Sequence, residues 1–156
     1  MRTMICAALM FVPTVALADF SLDGLVGKWS GQGNYAENMS SAKMRCKIDI
    51  AGGADKVTMT GRCASGLGAQ KVALDLTRAD DGSITASAAE GAPQNKTNID
   101  GLTGLPQGGH LVMDGTSGAD SVKIEFLMNA DGSLRFGVHS IIGPKDGKSV
   151  IRLVRQ

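Results

Sequence analysis

Large aromatic side chains are scarce in this chain, with one Trp, one Tyr and four Phe in 156 residues, and Phe11 falls within an N-terminal apolar stretch. A core of stacked rings is therefore excluded, and Val, Ile, Leu and Met must do the packing. Histidine is rarer still. His110 and His139 belong to no H-x-x-x-H or C-x-x-C pattern, so they read as exposed polar positions, and neither a metal nor a cofactor is expected. No G-x-S-x-G elbow, P-loop or dinucleotide fingerprint occurs. Blocks of one charge sign are also missing. All 15 acidic residues, and every basic residue except Arg2, lie beyond residue 18 and are interspersed, which leaves that part near neutral. Such a balance argues against a nucleic-acid partner and against a polybasic membrane-surface module. Beyond the N-terminal stretch there is no long apolar run, so a membrane-spanning helix is not expected.

The chain does carry an export signal in outline. Arg2 precedes an apolar run from Met4 to Leu17, and Ala16-Leu17-Ala18 forms a small-residue cleavage site. The expectation is a cleaved signal peptide at 1–18 and a single domain at 19–156, periplasmic or secreted. Cys6 leaves with the signal, so Cys46 and Cys63 remain, and an even count in an oxidising compartment reads as a disulfide.

Period-two alternation dominates the rest of the chain. Met44, Cys46, Ile48 and Ile50 alternate with polar residues, as do Val57, Met59, Gly61 and Cys63 after the Gly52-Gly53-Ala54-Asp55 turn. With the turn centred between Ala54 and Asp55, antiparallel partners sum to 109. Ile50 then faces Met59, Ile48 faces Gly61 and Cys46 faces Cys63, at the roughly 4.5–5.5 Å Cα separation within disulfide reach. Further alternating runs lie at 72–77, 84–88, 122–128 and 134–138, and the last run, 149–155, is apolar on both faces through Val150, Ile151, Leu153 and Val154. Turns ending in Asp-Gly are expected at Ala79–Ser83, Asn129–Ser133 and Pro144–Lys148, each with its glycine in the left-handed region. The only helical candidate is a short turn in Tyr35–Ser41. Residues 90–109 are dense in Gly, Pro and polar side chains and read as a loop region. The expected fold is all-β, an antiparallel up-and-down barrel of roughly eight to ten short strands with one hairpin disulfide.

The segment Leu25-Val26-Gly27-Lys28-Trp29 resembles the G-x-W opening of the calycin barrels, the lipocalins and fatty-acid-binding proteins. That resemblance implies that Gly27 and Trp29 close one barrel end and that an arginine of the last strand packs across the indole. Arg152 is the first choice for this role and Arg155 the second. Within the same superfamily, DGLVGKW followed by Cys46-Lys47-Ile48-Asp49-Ile50 and Cys63 is similar to the bacterial serralysin-inhibitor family of small periplasmic barrels. That likeness implies a free N-terminal tail, Asp19, Phe20, Ser21 and Leu22, that enters a metalloprotease cleft.

The inward apolar set is Met44, Ile48, Ile50, Val57, Met59, Leu74, Leu76, Ile124, Phe126 and Phe136. These residues either line a ligand cavity or fill a solid core, since a barrel of this size does either. Small neighbours such as Gly61, Ala86 and Ala88 leave room, and an apolar lining suits a fatty acyl or lipid-like molecule. The favoured expectation is an exported, non-enzymatic barrel that binds a small hydrophobic ligand. The alternatives are a metalloprotease inhibitor with a protease partner, and a structural envelope protein without a ligand.

Overall fold

The structure, a computed structural model, describes residues 20–90 and 101–156. The expected signal peptide, Asp19 and residues 91–100 lie outside the described residues.

A 3-10 turn at Asp23–Leu25 leads into ten strands: β1 (Gly27–Glu37), β2 (Ser40–Gly52), β3 (Lys56–Ser65), β4 (Gly68–Arg78), β5 (Ile84–Ala88), β6 (Leu102–Gly104), β7 (His110–Ser117), β8 (Asp120–Met128), β9 (Leu134–Ile142) and β10 (Lys145–Arg155). Each pairs antiparallel with its sequence neighbours, and β1 pairs with β10 to close the barrel. That closing pair covers the edges that β1 and β10 would otherwise present to another chain. Among the described residues no helix is long and apolar enough to cross a membrane.

The register of β2 and β3 follows the alternation. Ile50 pairs with Met59, Ile48 with Gly61 and Cys46 with Cys63, and the two Sγ atoms are bonded at 2.00 Å. Tight wall curvature comes from inward glycines. A Cβ on Gly31 would come within 1.9 Å of the Arg152 carbonyl oxygen, and one on Gly33 equally close to that of Val150. Glycine there lets β1 approach β10 where any other residue would force the strands apart.

The Ala79–Ser83 and Asn129–Ser133 turns share one construction. Gly82 and Gly132 sit at φ +82° and +76°. In each turn an aspartate, Asp81 or Asp131, accepts both the N–H and the hydroxyl of the following serine at 2.6–3.0 Å. These bonds, the hydroxyl's first, hold both carboxyl groups below their ordinary value of 3.8. The third expected turn is displaced. β10 already begins at Lys145, and the reversal falls at Gly143-Pro144, where Gly143 takes φ +55° and its N–H donates to Asp120 Oδ1. The helical candidate at Tyr35–Ser41 is corrected too. β1 and β2 run through it as a hairpin that turns on Asn38, at φ +52°, and Met39. Asparagine tolerates that conformation better than most residues, and its Oδ1 accepts the Asp146 N–H at 3.0 Å.

The core is one apolar cluster formed by the inward faces of all ten strands. Phe20, Leu22 and Leu25 join it from the segment before β1, so part of the filling is not wall.

Candidate functional site

One barrel end is closed by the segment before β1 and the end of β10. Trp29 is buried at the start of β1, and its Nε1–H donates to the Leu25 carbonyl at 2.7 Å, tying the 3-10 turn beneath the indole. Arg155 lies over the ring with its guanidinium carbon 4.8 Å from the centroid, and its Nη2 donates to the Gly24 carbonyl at 2.7 Å. One side chain of the last strand thus bridges Trp29 and the 3-10 turn. The first-choice arginine is corrected here. Ile151 and Leu153 face inward, so strand parity sends Arg152 outward to Asp131 and to the Ser133 hydroxyl, and brings Arg155 to the Trp29 end. Gly27 sits beside Arg155 at φ +142°, a backbone conformation that side chains rarely adopt.

The expected tail does not project. Phe20 and Leu22 are buried, the Phe20 N–H donates to the Gly108 carbonyl, and its ring meets that of Phe126 at 6.4 Å between centroids. Two apolar side chains spaced by one serine gain more from this interior than from solvent. Ser21 is half-buried and accepts the Gly24 N–H, and Asp19 is outside the described residues. A free segment able to enter a protease cleft is therefore not what residues 20–22 form.

The ten residues weighed as a cavity lining all face the interior, and their exposure runs from 0 to 3%. A side chain without accessible surface touches no space large enough for a water molecule, in the lumen or outside. Val57, Met59, Leu76 and Phe126 are at zero, and Phe126 stacks against Phe136 at 5.1 Å. Around these residues the lumen is filled, partly by the wall itself and partly by Phe20, Leu22 and Leu25. The reading of an already open cavity is corrected to a packed interior.

The opposite end is built differently. Its inward positions carry small or polar residues, among them Ala42, Gly115, Ser140, Gly147 and Ser149, each half-buried. Tyr35 stands there with its hydroxyl donating to Glu37 Oε2 at 2.6 Å, and Lys145 lies 3.5 Å from Glu37 Oε1. Burial first, then the Glu37 hydrogen bond and charge, push the phenol above its ordinary 10.0. The phenol's hydrogen bond, followed by the Lys145 charge, holds Glu37 below 4.5. The histidines sit on the outer wall, His110 at 3.1 Å from Glu125 and His139 at 2.9 Å from Asp146. No cluster of metal-ligating groups occurs among the described residues.

No protein-family model matches the chain, and no curated protein sequence does. Among solved structures the chain is similar to an S-type phycobiliprotein lyase from Guillardia theta, at 11% identity and a TM-score of 0.64, over 86% of this chain and 90% of that one. At that identity the likeness is one of fold, a calycin-like antiparallel barrel. It does not extend to the serralysin-inhibitor family. The expectation of a non-enzymatic protein is overturned by the same finding, because a barrel of this architecture serves in a protein named a lyase. Fold alone excludes no chemistry.

Proposed function

We propose that this is an exported small-molecule-binding barrel whose interior accepts the apolar part of a ligand when the Phe20–Leu22 segment withdraws. The observation that carries the reading is the origin of the filling. Phe20 and Leu22 belong to no strand, yet they are buried in the same cluster as the inward wall. Wall residues cannot leave without unpairing strands. Among the described residues, Phe20 leaves by giving up its backbone bond to Gly108, its ring contact with Phe126 and its packing in the cluster. A ligand with a comparable apolar group replaces that contact and recovers the lost burial. Export is favoured by the N-terminal apolar run and by the paired cysteines, which persist in oxidising compartments.

The test is a titration of the purified protein and its Phe20→Ala variant with a fluorescent polyene fatty acid. Displacing Phe20 costs about 1.5–3 kcal/mol of lost burial. The variant avoids that cost and should bind about tenfold to a hundredfold more tightly. Equal affinities, or no saturable binding by either form, would rule the reading out.

A further inference from the structure

Interspersed in sequence, five cations of this chain are gathered in space on three adjacent strands. The outward positions of β2 carry Lys43, Arg45 and Lys47, and pairing places Lys47 opposite Arg62 of β3, itself opposite Lys71 of β4. Three exposed cations therefore stand directly abreast on three adjacent strands. Like charges in that position destabilise a sheet. None of Lys43, Arg45, Lys47, Arg62 or Lys71 has an ion pair among the described residues. The neighbouring outward positions of β1 hold Lys28, Ser30, Gln32, Asn34 and Ala36, with no carboxylate. Asp49 is the one acid on the outward side of β2, and it pairs across to Lys28, one end of the patch.

The same stretch of wall carries a shallow depression open to solvent. A groove of about 530 Å³ runs over the backbone of Gly31 and Cys46, flanked by Arg45, Lys47 and Arg62, with Val154 and Ala64 as its apolar rim. We propose that this groove binds a small polyanion, a molecule carrying two or more phosphate or carboxylate charges, which neutralises the repelling cations. Two arginines supply planar forks that match such groups. The dimensions favour a small molecule over a polymer. Three strands abreast span about 10 Å, and Arg45 stands about 7 Å along the strand from Lys47. The site is separate from the interior and does not depend on the Phe20 reading.

The experiment is calorimetric titration of the purified protein with inorganic pyrophosphate, and separately with citrate, at low and at physiological salt. Saturable binding of either anion that weakens with salt is expected, and Arg62→Gln and Arg45→Gln should each weaken it about tenfold or more. Lys123→Gln, on β8, should leave it unchanged. Thermal unfolding supplies a second readout. The anion should raise the melting temperature of the wild type but not of the Lys47→Gln, Arg62→Gln double variant. Without anion the double variant should melt at or above the wild type, because the repulsion is gone. Binding of neither anion, or wild-type affinity in the arginine variants, overturns the proposal. Attachment to phosphatidylglycerol vesicles with no binding of the free anions overturns it as well, in favour of a membrane-facing wall.

Discussion

Reducing the Cys46–Cys63 bridge should lower stability by about 3 kcal/mol without dismantling the barrel. The cysteines are 17 residues apart in sequence. The chain-entropy relation for a loop of that length gives about 10 cal/mol/K, or about 3 kcal/mol at 25 °C. The loss arises chiefly in the unfolded chain. In the folded state β2 and β3 stay registered from Met44–Ser65 to Gly52–Val57, and each has another strand on its far side. Freed thiols would remain buried and behave as small apolar groups. Urea unfolding with and without reductant is the assay. A slope of roughly 2 kcal/mol/M makes the midpoint fall by about 1.5 M, and the slope itself should steepen as the unfolded state expands. Equal midpoints would refute the entropic reasoning, and two titratable thiols in protein purified from its own compartment would refute the bridge.

Two further outcomes concern the barrel ends. Arg155→Ala removes the cation from the Trp29 face and the bond to Gly24, and should cost about 1–2 kcal/mol and raise the solvent quenching of Trp29 fluorescence. Arg152→Ala should leave the fluorescence unchanged; the reverse pattern would show the wrong arginine to have been assigned. Tyr35 is the chain's single tyrosine, so its phenolate absorbance is unambiguous. Its ionisation should lie above pH 10.0, and Glu37→Gln should bring it down. A phenol held up in the folded state contributes stability that is complete below pH 10.0 and lost as pH rises through the folded value. An unmoved midpoint in Glu37→Gln would contradict the coupling.

Much of this architecture is legible in the residues because a half-buried strand leaves a period of two. The 109 sum for β2 and β3 places both sulfurs and the apolar pairs together. β7 escapes that pattern, since only Leu111 and Met113 are buried along it and Gly115 supplies no side chain. The interior filling is harder to read. Phe20, Leu22 and Leu25 look like a terminal tail until the barrel is closed over them, although their apolar spacing is itself the signal. Arg155 is harder to read, because Val150 and Val154 make the other face of β10 as apolar as Ile151 and Leu153 do; burial of the latter pair in the closed barrel decides it. The basic wall is hidden by a net charge of +1. Applying the 109 sum to outward residues puts Lys47 opposite Arg62 and would have exposed it.

Whether a ligand takes the place of Phe20 is read most directly from fluorine NMR of protein labelled with 4-fluorophenylalanine. Among the described residues the label falls at Phe20, Phe126 and Phe136, and Phe20→Leu assigns the first resonance. Saturation with a long-chain fatty acid should move the Phe20 resonance to a solvent-exposed position while Phe126 shifts and stays buried. Binding that leaves the Phe20 resonance in place, or a spectrum unchanged at saturating fatty acid, would contradict the account.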